Sequence, residues 1–194
     1  GAKPRFALIS IAGPDEGAIR RFYTGLLEWG VPIAGGDLAR AETLACDVVV
    51  CGAVSRGQAI RRDGARPGDR IYVSGPLGAA AARGYHVPPV PRPRVAEGQR
   101  LRGHATACMD ISDGLSTDLR RLCTASRVAG HVEHVPAAPG ATREQALHGG
   151  DDYELLYTGP PGLEGIDIGY VLAGPPGVNV EPRGWDHFTY NRRR

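Results

Sequence analysis

The chain has 194 residues, 42% of them hydrophobic, which is enough for one or two domains with a sizeable core. Its 23 basic and 21 acidic residues leave a net charge of +2, so the broad basic surface that nucleic acid demands is missing and no such partner is expected. No apolar run approaches the ~18 residues of a membrane span and no signal peptide opens the chain, so no membrane association is expected either. The cysteines, Cys46, Cys51, Cys108 and Cys123, form no CxxC pair and lie in apolar settings. They predict buried thiols in a reducing cytoplasm.

Residues 5–12 alternate Phe6, Leu8 and Ser10 against Ala7, Ile9 and Ile11, apolar on both faces apart from the serine, and predict a central strand. Gly13-Pro14-Asp15-Glu16 opens a helix, with proline and acids where a first turn favours them. Its buried face is expected to be Ile19, Phe22, Tyr23, Leu26 and Leu27, and Gly30 stops it. Residues 31–34 form a short apolar strand running into an acidic turn, Gly35-Gly36-Asp37, with Arg40 near enough to pair with a phosphate or with Asp37. Residues 44–54 are β-rich, and Ser55-Arg56-Gly57 breaks them. The domain boundary is placed there, giving residues 1–56 and 57–194.

In the second part, residues 65–69 turn into a strand at 70–74, and Gly75-Pro76-Leu77-Gly78 leads to a short alanine-rich helix. Residues 86–93 are proline-dense and read as an extended linker in which His86 is a loop residue. A helix at 94–101 delivers the chain to the most informative stretch, Met109-Asp110-Ile111-Ser112-Asp113-Gly114-Leu115. Strand character precedes it at 106–109. Leu115, Leu119 and Leu122 follow at helical spacing. Asp110 and Asp113 therefore sit between a strand and a helix amino-terminus, where a carboxylate either caps the helix or holds a hard cation. His131 and His134, on a strand at 131–135, fall on opposite faces and do not share a metal. A helix at 142–147 precedes a third acidic turn, Gly149-Gly150-Asp151-Asp152, and strands follow at 153–158 and 169–173. The tail holds Gly-Trp185-Asp-His-Phe and a basic, solvated end at 192–194. Three acidic turns suggest one polyanion-and-metal site, because Mg²⁺ is commonly held by a few carboxylates together with substrate phosphates.

GAKPRFALIS at the start, GGDLAR at 35–40, GQAIRRDGARPGDRIYVSGPLG at 57–78, PRPRV at 91–95, MDISDGLSTDL at 109–119, HGGDDYELLYT at 148–158 and GWDHF at 184–188 together resemble thiamine-monophosphate kinases. That family belongs to the superfamily of phosphoribosylaminoimidazole synthetase and selenophosphate synthetase. The resemblance implies an α+β, two-domain synthetase-like fold, with 1–56 the remainder of an ATP- and metal-binding domain and 57–194 an α/β sandwich domain. It implies transfer of the ATP γ-phosphoryl group to thiamine monophosphate, with Mg²⁺ as cofactor and no covalent nucleophile. Asp37, Asp110 and Asp113 would bind metal. Gly36, Asp37, Arg62 and Ser112 would meet ATP, and Asp151 and Trp185 the thiamine phosphate. A homodimer is expected of the full-length protein.

The chain departs from the family in three ways. It lacks the upstream segment that carries further metal-binding aspartates and a dimer-forming sheet, so this chain alone is expected to be a poor kinase. Asp151 stands where the family has glutamate, a reach shorter by one methylene. Residues 83–91 and 136–148 are shorter than the family's. Two other functions stay open: a non-catalytic paralogue acting as a binding or dimerisation module, and a superfamily enzyme using ATP on a different small molecule. No Walker-type GxxxxGK[ST] is present, so any ATP site is not a P-loop. Trp185 is either a packing residue or a flat face for an aromatic, cationic heterocycle.

Overall fold

The structure, a computed structural model, describes residues 1–85 and 89–186. His86, Phe188 and the basic end at 192–194 lie outside the described residues. The chain divides into two compact units, Ala2–Gly57 and Gln58 onward, the latter including Gly1.

The first unit is built from β1 (Lys3–Gly13), α1 (Glu16–Leu27), β2 (Ile33–Arg40) and β3 (Ala45–Ala53). The sheet order is β2-β1-β3, with β2 parallel and β3 antiparallel to β1. β1 is thus central, as its two apolar faces predict. Ala7, Ile9 and Ile11 are buried on one face. Phe6 and Leu8 on the other are exposed. Asp15 caps α1 by accepting the Ala18 N–H at 2.8 Å, so the proline–acid signal works through the aspartate. The predicted helix face is only half-buried at Ile19, Phe22, Tyr23 and Leu26, and Leu27 is exposed.

Two expectations fail here. Gly35-Gly36-Asp37 is not a turn: it lies inside β2, where Gly36 registers with Ile9 and Asp37 with Ser10. The glycine is needed for close strand approach, because a Cβ at Gly36 would overlap the Ile9 carbonyl. The cysteines are also not uniformly buried: Cys123 is, Cys51 and Cys108 are half-buried, and Cys46 is exposed.

The second unit carries a six-stranded sheet made of β4 (Arg70–Val73), β5 (Ala107–Asp110), β6 (Ala129–Val132), β7 (Leu155–Gly159), β8 (Ile166–Leu172) and β9 (Gly177–Val178). Their order is β5-β7-β4-β8-β6-β9, antiparallel except for the β6–β9 pair. Period-two alternation gives the sheet two apolar faces. Ile71, Val73, Leu156, Ile168 and Val171 pack against Leu115, Leu119 and Leu122 of α4 (Leu115–Ser126). On the opposite face Tyr72 and Tyr157 stack at 5.5 Å, with Leu101 against them. Leu101 ends the short α3 (Val95–Arg100). α2 (Ala79–Ala82) and α5 (Arg143–His148) complete the unit, α5 opening with a capping box between Thr142 and Gln145.

Gly36→Ala should unfold the first unit selectively, by more than ~2 kcal/mol, since the added methyl meets main chain that cannot rotate away. Hydrogen exchange should show lost protection in residues 3–13 and unchanged protection in 115–126.

Candidate functional site

The site is built on the turn between β5 and α4. Asp118 lies on the buried side of α4 beside Leu115, Leu119 and Leu122, with 0% exposure. One of its carboxylate oxygens accepts the backbone N–H groups of Ser112 (3.0 Å) and Asp113 (2.9 Å). The other accepts from Arg121 Nη1 at 2.8 Å, and the same nitrogen pairs with the Asp113 carboxylate. Burial pushes the Asp118 carboxyl above its usual value, and the Asp113 backbone and Arg121 oppose that shift. Asp113 is therefore not the helix N-cap. That position is Gly114, at φ 107°, and no side chain caps it.

Two segments dock on this turn through main-chain hydrogen bonds. From the 149–154 loop, the Asp151 N–H donates to the Ser112 carbonyl and the Tyr153 N–H to the Ile111 carbonyl, each at 2.9 Å. Asp151 and Tyr153 both adopt positive φ, 62° and 51°, a conformation unfavourable for side-chain-bearing residues and held here by those bonds. From the tail, the Trp185 N–H donates to the Asp113 carbonyl at 2.9 Å and the Gly184 N–H to Thr117 Oγ1 at 3.0 Å. A side chain at Gly184 would strike the Asp113 carbonyl, and one at Gly150 the Ser112 carbonyl. Glycine is what lets both segments lie on the turn.

Asp110, Ser112, Asp113, Asp151 and Trp185 thus gather at one place. Asp110 is exposed, Asp151 half-buried, and Trp185 is 42% exposed, so the indole is not closing a core. Arg62 is not brought to this turn. Its carbonyl accepts from Ser126 Oγ at 3.0 Å, at the opposite end of α4. Gly36 and Asp37 belong to the first unit.

Several residues that sequence reasoning passed over shape the site. Tyr153 donates its hydroxyl to Asp151 at 3.2 Å, and its phenol is pushed up by burial and by the Asp151, Asp110 and Asp113 charges. Tyr85 borders the same loop, its phenol raised by burial and by Asp151 and Asp152. Asp152 is buried and accepts from the Gly78 and Ala80 N–H groups, so it supports α2 and does not face the site. Glu154 is likewise tied down, by Arg94 and by Ser74 Oγ at 2.5 Å. The one signal available for Asp118 was a carboxylate on the apolar stripe of a helix.

The donor set is all oxygen, which suits a hard cation such as Mg²⁺. Among the described residues no group of three or more His, Cys, Asp or Glu side chains could hold an ion by itself. Remaining coordination would fall to phosphate oxygens and water, as Mg²⁺ commonly prefers. Among them, too, no helix is long and apolar enough to cross a membrane.

No protein-family model matches the chain. Hydrogenase maturation protein HypE shares its fold, with a TM-score of 0.71 at 21% identity over 92% of this chain and 73% of that one. A structure of AaThiL complexed with AMPPCP and TMP is more similar: TM-score 0.84, 32% identity, 97% of this chain and 75% of that one. These define an α+β protein of the two-domain synthetase-like class. The thiamine-monophosphate kinase of Aquifex aeolicus is 31% identical over 97% of this chain and 76% of its own length. The chain belongs to the thiamine-monophosphate kinase family.

His148 offers a pH test of how α5 is held beside this turn. Its Nδ1 is 2.8 Å from the buried Ser116 Oγ, and burial, then Arg183, push its pKa below the ordinary 6.5. A depressed histidine favours folding while neutral. As pH falls through about 6.5 the unfolded chain takes up the proton first, and stability drops until the folded ring also protonates. The melting temperature should therefore fall between about pH 7 and 5. His148→Gln should flatten that segment of the profile.

Proposed function

We propose that the chain transfers the γ-phosphoryl group of ATP to thiamine monophosphate, giving thiamine diphosphate and ADP. The observation that carries this is the docking of the 149–154 and 183–185 segments on the Asp110–Asp113 turn, in a member of this family. The relative bound to AMPPCP and TMP supports the same pair of substrates.

Phosphoryl transfer needs positioning and charge stabilisation more than covalent chemistry from the protein. Asp110 and Asp113 are assigned to a Mg²⁺ ion, which when bound would neutralise the polyphosphate. Ser112 is assigned to ATP, at the positive end of α4. Asp151 and Trp185 are assigned to the thiamine portion, the indole giving a cationic thiazolium an aromatic face. The nucleotide and metal roles expected of Gly36, Asp37 and Arg62 rest on the family resemblance alone. Location in the cytoplasm and a homodimer belong to the same proposal. Exposed Phe6, Leu8 and Val49 on the sheet of the first unit support the dimer.

The test is incubation of the purified chain with ATP, Mg²⁺ and thiamine monophosphate, with thiamine diphosphate measured by chromatography. Low but magnesium-dependent product is expected, and Asp110→Asn should abolish it. Product formed equally well by that variant would overturn the assignment. Calorimetry then separates the two ligands. Trp185→Ala should weaken thiamine monophosphate by ~1–3 kcal/mol and leave ATP nearly unchanged. Asp151→Glu should also move only thiamine-monophosphate affinity, and equal effects on both ligands would count against the substrate-side roles.

A further inference from the structure

The geometry points to Arg121 as a resident counter-cation of Asp113: its guanidinium occupies the carboxylate that a divalent ion would need, and the ion binds by exchange with it. This rests on the assignment of Asp113 to the metal. Arg121 Nη1 bridges two acids, the Asp113 carboxylate at the site and the Asp118 carboxylate beneath it. Asp118 is fully buried and already committed to two backbone N–H groups, so it anchors the arginine. The Asp113 side chain, 14% exposed, lies under the same guanidinium.

A monocation and a dication cannot both sit against one carboxylate without strong repulsion. Neutralising Asp113 therefore has two alternative outcomes. The Arg121 side chain is 42% exposed, so its head can withdraw from Asp113 while staying on Asp118. The arginine is raised above its usual pKa chiefly by Asp113 and remains charged throughout, so the exchange is between cations and involves no proton. Until it occurs, Asp110 is the exposed carboxylate of this turn and Asp113 is held in its rotamer by the pairing. Arg121 thus sets cation affinity and positions Asp113, and is not itself a catalytic residue.

Mn²⁺ alone, without nucleotide, is the probe, titrated into the full 194-residue chain and followed by the electron paramagnetic resonance signal of the free ion. Arg121→Gln should bind Mn²⁺ about fivefold more tightly than the unaltered chain, the worth of a partly exposed ion pair. The gain should disappear in Asp113→Asn/Arg121→Gln. Arg121→Lys keeps a positive charge at the position and should restore weaker binding, and Arg121→Met, which removes the charge and keeps the apolar stem, replaces the glutamine variant should that one melt early. Equal or weaker binding by Arg121→Gln, a gain that survives loss of the Asp113 carboxylate, or no binding in any variant overturns the inference. A chain that forms no thiamine diphosphate yet shows the Asp113-dependent gain loses the kinase reading and keeps this one.

Discussion

The buried carboxylate of Asp118 is the constraint on which the rest of the second unit's site depends. An ionised group at zero exposure is costly unless its oxygens are fully engaged. Here they accept two backbone N–H groups and a guanidinium. Those bonds fix the main chain at Ser112 and Asp113. That in turn sets the carbonyls of Ile111, Ser112 and Asp113 in place to receive Tyr153, Asp151 and Trp185. Every one of these docking bonds runs from main chain to main chain. The backbone thus positions residues 151 and 185, and these bonds form with an aspartate at 151, where the family resemblance expects glutamate.

Acids in these motifs look alike in sequence and differ sharply in use. Asp110 is exposed at a strand end, and Asp113 lies half-buried under Arg121. Asp152 holds the N–H groups of Gly78 and Ala80 at the start of α2, and Glu154 holds Arg94 and Ser74, so both are scaffold. Within GDDYE, two carboxylates brace the fold, and the third, Asp151, accepts from the Tyr153 hydroxyl beside the turn. Burial with hydrogen-bonded oxygens marks the bracing acids, and half-burial on a pinned, positive-φ backbone marks the other.

Much of this was legible beforehand where the signal is local. The strand–turn–helix around Asp110–Asp113 follows from a short apolar run and leucines at helical spacing. The central position of β1 follows from its two apolar faces. What failed was non-local. Gly35-Gly36-Asp37 has the composition of a turn, yet it is a strand because Gly36 must pass close to Ile9, a requirement set by a neighbour that sequence does not reveal. The burial of α1 was overstated because periodicity identifies a face and not the amount of protein opposite it. Arg121 could be read only as a surface charge on the helix, since its pairing with Asp113 depends on how the turn folds back. Asp118 broke the apolar stripe of α4, a local inconsistency of the kind that marks functional sites.

The pieces of this site are spaced along the chain in a definite order: the turn at 110–114, the loop at 149–154, and the tail at 183–185. A ribosome delivers them in that order, and domains form as their residues emerge. The Asp113 carbonyl and the Thr117 hydroxyl receive their partners from the last of the three. During synthesis the turn at 110–114 therefore exists for some seventy residues' worth of elongation before the tail that bonds to it has been made. The first and last pieces of this candidate site are separated in time before they are joined in space.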